Sequence, residues 1–201
     1  MTDGTLTVAV GASRSGKTAW VKQQLAAYPL QIVWDVESQY AEGRTVASNR
    51  RALLDCVKVA AQKPLRNAYV TPSLDDFGFF ADCAWWLIRA TKQRAAVVAE
   101  ELADVTTPGK APDAWGILIR RGLKYGADIY AITQRPSESD KTVMGNASVI
   151  HCCALQRAGD RKYMAAELDV PLNDLKLNRG ALEYLHKDMR SGKTTRGRLT
   201  F

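Results

Sequence analysis

The sequence predicts an α/β protein with a mostly parallel central sheet flanked by helices and a C-terminal β-hairpin. Three observations carry that expectation. Short apolar stretches alternate with helical patterns between residue 5 and about residue 160. Ala95-Ala-Val-Val-Ala99 is a continuous apolar run, as a parallel strand buried on both faces requires. Ala181–Leu185 and Thr195–Leu199 flank Ser191-Gly192 as two antiparallel strands flank a turn.

Taken in order, residues 5–10 read as a strand and 17–28 as a helix stopped by Pro29. Gln31–Asp35 is a second strand, and Val36–Ser48 reads as polar and irregular. Asn49–Ala61 is helical, with Leu53, Leu54, Val57, Ala60 and Ala61 on one face. Asn67–Val70 is a third strand, ended by Pro72. Asp75 and Asp76 are expected to cap a long helix that runs to about Arg94. Phe79, Phe80, Cys83, Trp86 and Leu87 recur on it at helical spacing, which makes that stripe core rather than a base-stacking face. After the 95–99 strand come a loop at Asp104–Pro112, a helix at Asp113–Tyr125, and strands at Ala127–Ile132 and Ser148–Leu155. A helix at Asp160–Leu168 and a linker at Pro171–Arg179 lead to the hairpin. One domain over residues 1–201 is expected, with a core at about 5–160 and the last helix and basic hairpin at about 160–201.

Between the first strand and helix, Gly11-Ala12-Ser13-Arg14-Ser15-Gly16-Lys17-Thr18 fits G-x-x-x-x-G-K-[ST], a phosphate-binding P-loop. Glycines let several backbone N–H groups turn into one hollow, and the helix start adds its own free donors and positive dipole end. Lys17 is placed to reach the β- and γ-phosphates of ATP, and Thr18 to put its hydroxyl on Mg²⁺. Arg190-Ser-Gly-Lys-Thr194 repeats five of these letters. Its missing first glycine would fall at Lys187, so the second copy reads as the hairpin turn, not a second nucleotide site.

Two more strand ends add chemistry. Glu100 and Glu101 follow the buried 95–99 strand, and phosphoryl hydrolysis calls for one carboxylate near Mg²⁺ and one near the attacking water. Neighbours on an extended chain point apart, so the two take different jobs. Gln134 sits at the tip of the 127–132 strand, where a side-chain amide can bond both a γ-phosphate oxygen and a water.

Together the three segments resemble the FtsK–HerA superfamily of P-loop motors, in the additional-strand, RecA/FtsK-like branch of P-loop NTPases. Gly11–Thr18 matches its phosphate loop, Val98-Ala-Glu-Glu-Leu-Ala-Asp104 its apolar strand with D-E-x-x-D, and Thr133-Gln-Arg-Pro-Ser137 its T-Q-R-P-S loop. The resemblance implies that Lys17 and Thr18 bind phosphate and Mg²⁺, that Glu101 is the catalytic carboxylate, and that Gln134 senses the γ-phosphate. Glu100 stands where the family usually has Asp, on the metal side. The resemblance also implies a homo-oligomeric ring with an arginine completing the neighbouring site. Arg120 and Arg121 are the first candidates, Arg157 and Arg161 the next.

With little beyond the motor core, the chain is most similar to the small genome-packaging ATPases of tailless, membrane-containing icosahedral double-stranded DNA viruses, the tectivirus-like group. That implies double-stranded DNA and capsid vertex or portal-like proteins as partners. It places the chain in the host cytoplasm during assembly, with retention at a unique virion vertex as a further expectation. The net charge of +7 suits a polyanion. Lys110, Arg44, Arg50, Arg51 and the basic residues at 187–198 are candidate DNA contacts. No apolar run reaches the length of a membrane span and no signal peptide is evident. The four cysteines lack metal-site spacing and read as reduced core thiols. Other readings remain open at this point: another translocase of the superfamily, a filamentous-phage assembly ATPase, a nucleoside kinase, or a nucleotide-gated scaffold without motor action.

Overall fold

The computed structural model of the chain describes residues 3–200; residues 1, 2 and 201 of the expected domain lie outside the described residues. The first half runs β1 (Leu6–Val10), α1 (Lys17–Leu25), β2 (Gln31–Trp34), β3 (Thr45–Ala47), α2 (Arg50–Ala60), β4 (Arg66–Tyr69), α3 (Phe77–Thr91) and β5 (Ala95–Ala99). The second half runs α4 (Leu102–Val105), α5 (Asp113–Gly122), β6 (Ala127–Thr133), α6 (Lys141–Gly145), β7 (Val149–Cys153), α7 (Ala158–Leu168), β8 (Glu183–Asp188) and β9 (Thr194–Arg198).

The strands form one sheet in the order β3-β4-β2-β5-β6-β1-β7-β8-β9. The pairings from β3 to β7 are parallel, and β7–β8 and β8–β9 are antiparallel. β6 therefore lies between the strand that feeds the P-loop and the strand that carries the glutamates. Parallel pairing puts the ends of β1, β5 and β6 on one edge, where ligands bind in such sheets. The register is close: Val10 faces Thr133, and Ala99 faces Ala131.

Alternation along the strands builds two cores. Leu6, Val8 and Val10 face a large cluster with α2, α3, α5 and α7, in which Trp34, Phe77, Phe80 and Trp115 pack ring against ring. Ala9, Val33, Val98 and Ile132 face the opposite side, where Val21 and Leu25 of α1 cover them together with Tyr40. β1, β2, β5 and β6 are buried along their whole length, which is why their sequences are apolar runs rather than alternating ones. α2 is capped by Asn49, whose side chain accepts from the Ala52 N–H at 2.9 Å.

Several expectations are corrected. The stretch 36–48 is not wholly irregular, because Thr45–Ala47 forms an edge strand on β4. Asp76 does not cap α3 with its side chain. Its carboxylate accepts from the Tyr69 hydroxyl and from Arg50 instead, and Asp75 lies in a short 3-10 turn at Leu74–Asp76. α3 ends at Thr91, where Lys92 turns left-handed, not at Arg94. Trp86 is 49% exposed and lies off the buried stripe of Phe80, Cys83 and Leu87. The Pro171–Arg179 linker contains a 3-10 turn at Leu172–Leu175. The four cysteines are free thiols, with Cys83, Cys152 and Cys153 buried. No helix of the described residues is long and apolar enough to cross a membrane.

Candidate functional site

The site grows from the end of β1. The Gly11 N–H donates to the Thr133 carbonyl, and the Ala12 N–H to the Ala154 carbonyl, so the loop starts tied to both flanking strands. It then turns through Arg14 at φ 58° and Gly16 at φ 97°. Gly11 has no room for a side chain: a Cβ there would sit 2.3 Å from the Ser15 Oγ and 2.8 Å from the Cys153 Cβ. No side chain caps α1, so the amides of its first turn stay free to meet a ligand. Ser15 Oγ is buried and, among the described residues, has no hydrogen-bond partner. A loop of free, inward-turned donors at a helix start fits a chain of phosphates.

The loop opens onto a hollow of about 360 Å³ whose lining includes Ser13–Ala19, Glu37, Gln39 and Gln134. The side chains expected to act here come together. Lys17 is buried, and its Nζ lies 3.7 Å from Glu101 Oε1. The same Glu101 oxygen accepts from the Gln134 amide. Thr18 Oγ1 donates to Glu100 Oε1 at 3.1 Å, and the Tyr40 hydroxyl donates to Glu100 Oε2 at 3.3 Å. The two glutamates thus serve different neighbours. Glu101 takes the left-handed conformation, φ 47°, so its direction comes from a turn and not from strand alternation.

Burial pushes the Glu100 carboxyl up to about 7; the Glu101 charge adds to this, and Lys17, Thr18 and Tyr40 oppose it. A divalent cation between Thr18 and Glu100 would favour the ionised carboxylate, and hydroxyl plus carboxylate is an oxygen donor set suited to Mg²⁺. Among the described residues, no cluster of three or more His, Cys, Asp or Glu could hold a metal by protein ligands alone.

The loop after β6 is anchored by a residue that sequence reasoning passed over. Asp160, buried on α7, accepts from Arg135 Nε and from the Ser137 hydroxyl. Thr133 Oγ1 accepts from the Arg135 N–H and from Ser139. Gln134 is therefore held from both sides. Tyr40, Glu37 and Gln39 were likewise missed, because they lie in a polar stretch with no local signal.

The other candidates stand apart. Arg120 and Arg121 are exposed in the last turn of α5, whose end leads into the start of β6. They therefore lie at the sheet edge opposite the P-loop. Arg157 precedes α7 on the P-loop edge, 3.9 Å from Glu138, and Arg161 donates to the Leu155 and Gln156 carbonyls. Lys110 is exposed on a loop that is tied to α6 through the Lys141 and Ala111 N–H groups. Arg44 is turned inward, with its guanidinium on Gln31 Oε1 and the Tyr40 carbonyl. Arg50 pairs with Asp76 and Arg51 with Asp55. In the hairpin, Arg196 and Arg198 both pair with Glu183.

No family model matches the chain. Protein P9 of Pseudoalteromonas phage PM2 is 34% identical over 169 residues, which is 83% of this chain and 76% of that protein. The DNA-packaging ATPase B204 of Sulfolobus turreted icosahedral virus has a similar structure, with a TM-score of 0.78 at 15% identity and 100% of each chain covered. The genome packaging NTPase B204 of Sulfolobus turreted icosahedral virus 2, solved in complex with AMP, gives 0.75 at 18% identity, again over 100% of each chain. At such identities the structural likeness is one of fold, while the P9 match is one of sequence. The chain belongs to the same family as Protein P9 of phage PM2.

Proposed function

We propose that the chain is an ATP-hydrolysing motor that translocates double-stranded DNA and packages a viral genome into a preformed capsid. One observation carries this reading. Lys17, Thr18 and Gln134 line one hollow, and Glu100 and Glu101, from a third strand end, contact these three side chains. The packaging ATPases named above share the fold, and the excess of positive charge suits a DNA partner.

In this reading the backbone amides of Gly11–Thr18 and the Lys17 ammonium hold ATP. Thr18 and Glu100 hold Mg²⁺, which neutralises charge on the β- and γ-phosphates when bound. Glu101 accepts a proton from the attacking water or orients it. Gln134, whose amide donates to Glu101 in the structure, is close enough to that carboxylate to bond the γ-phosphate and the attacking water beside it. Its loop, anchored on Asp160, joins that position to α7. An arginine from a neighbouring subunit of a homo-oligomeric ring completes the site; Arg120 and Arg121 are candidates for it, and Arg157 the alternative. Lys110 and the basic hairpin supply sequence-independent phosphate contacts to DNA. The capsid vertex in the host cell is where the ring works.

The test is particle assembly directed by the genome that encodes the chain, with Lys17→Ala. Empty particles are expected; filled particles would overturn the motor reading. Double-stranded DNA should also stimulate ATP hydrolysis. A chain that ignores DNA and phosphorylates a nucleoside instead is a kinase, not a motor.

A further inference from the structure

The loop between β2 and β3 is built with more care than a solvent-exposed connection needs. Asp35, fully buried at the end of β2, accepts from the Gln39 N–H through Oδ1 and from the Tyr40 N–H through Oδ2, both at 2.7 Å. Ser38 takes the left-handed conformation, φ 56°, to close that turn. The Tyr40 carbonyl accepts from Arg44 Nη1 at 3.0 Å. The backbone of Tyr40 is thus held on both its donor and its acceptor. Its ring is fully buried, with the Lys22 ammonium 5.4 Å and the Arg44 guanidinium 5.7 Å from its centre. All of this aims one hydroxyl at Glu100 Oε2, 3.3 Å away.

Glu100 has no other side-chain partner at that oxygen among the described residues. A glutamate has one more rotatable bond than an aspartate, so a metal-side glutamate that is not held loses affinity to its own freedom. An ionised carboxylate has no proton to give, so the buried phenol beside it donates, and the bond it makes leaves Oε1, beside the Thr18 hydroxyl, as the oxygen that faces the cation. Outer partners that orient a metal ligand in this way matter nearly as much as the ligand itself.

We infer that Tyr40 is a positioning residue for Mg²⁺, fixing the Glu100 carboxylate through Oε2, and that Asp35 and Arg44 exist to hold Tyr40 in that place. The inference rests on the reading of Thr18 and Glu100 as the Mg²⁺ side of the site. It gives the inward-turned Arg44 a task inside the chain, in place of a contact with DNA.

The test is a binding measurement on the full chain with a fluorescent, non-hydrolysable ATP analogue, titrated with Mg²⁺ and repeated with EDTA. Tyr40→Phe removes one oxygen and keeps the buried ring. It is expected to raise the Mg²⁺ concentration at half-saturation about tenfold. Analogue affinity in EDTA and the unfolding temperature should stay near wild type. In a Glu100→Asp background the shorter side chain no longer spans Tyr40 and Thr18, so adding Tyr40→Phe should move the midpoint less than about twofold. Asp35→Asn should shift the midpoint in the same direction as Tyr40→Phe, by less. An unchanged midpoint in Tyr40→Phe, or the full shift persisting beside Glu100→Asp, overturns the role of Tyr40 and leaves the site assignment intact. A wild-type chain whose analogue affinity ignores Mg²⁺ overturns the site assignment, and the role of Tyr40 with it.

Discussion

Arg14–Thr18 and Arg190–Thr194 are the same five residues in two regions of one chain, and they share almost nothing else. In the first copy Ser15 Oγ is buried without a partner, Lys17 is buried beside Glu101, and Thr18 opens a helix toward Glu100. In the second, Ser191 donates through both its N–H and its hydroxyl to Asp188, Gly192 turns the chain at φ 68°, and Thr194 starts an edge strand. The first copy leaves the Ser15 hydroxyl without a partner among the described residues and turns Lys17 and Thr18 onto the two glutamates, whereas the second spends Ser191 on its own turn. The cause is upstream. Gly11 at the end of a central parallel strand lets Ser15 and Cys153 close over it, while Lys187 lies on an antiparallel strand near the edge of the sheet. A phosphate site is thus a property of the strand before it and the helix after it, not of the letters between.

Paired substitutions break or sharpen this contrast. The largest difference is expected for the lysines. Lys17→Ala should weaken binding of an ATP analogue by about 10- to 100-fold, the worth of a charge-assisted hydrogen bond to phosphate. Lys193→Ala should leave that affinity within about twofold; equal losses at the two positions would end the contrast.

The glycines come next. Both Gly16 and Gly192 have left-handed backbones, which cost an alanine about 1 kcal/mol or more. At Gly16 a Cβ would also lie 2.6 Å from Leu199 Cδ1, while at Gly192 nothing lies within 4 Å. The Leu199 methyl can swing aside, so denaturant unfolding should show Gly16→Ala less stable than Gly192→Ala by no more than about 1 kcal/mol.

A pH-dependent effect tests the bridge between the two regions. His151 on β7 stacks on Trp20 of α1 with ring centres 3.8 Å apart, and its Nδ1 lies 3.4 Å from that of His186 on β8. Burial, with His186 beside it, pushes the His151 imidazole down to about 3. The folded chain therefore keeps it neutral where the unfolded chain would protonate it, below about pH 6.5. Its contribution to stability is whole above that pH and is lost progressively as the pH falls toward 3, by up to about 1.4 kcal/mol per unit. Denaturant unfolding at pH 7.5 and 5 should show that decline in wild type. It should be shallower in His151→Phe, which keeps the stack on Trp20.

The parts of this molecule that were legible in sequence are those whose signal is local. The Leu6–Val10 and Ala95–Ala99 strands are apolar because both faces are buried, and the P-loop pattern is a run of neighbours. Glu101 and Gln134 could be found because each ends such a strand, and the family pattern named them. The edge strand Thr45–Ala47 could not, since two of its three residues are exposed and only pairing with β4 makes it a strand. Asp76 looked like a cap, but Tyr69 and Arg50, brought in by the tertiary fold, outcompeted the helix amides. Tyr40 left no trace at all: its partner Glu100 is 60 residues away, and only the β2–β5 pairing brings them together.

The central claim is that Glu101, and not the P-loop alone, makes this a hydrolysis site. It is tested most directly by following the turnover of bound ATP, with double-stranded DNA and Mg²⁺ present, in the wild-type chain and in Glu101→Gln. The variant is expected to bind ATP as well as wild type and to hydrolyse it at least about 100-fold more slowly. Hydrolysis within a few-fold of wild type would contradict it.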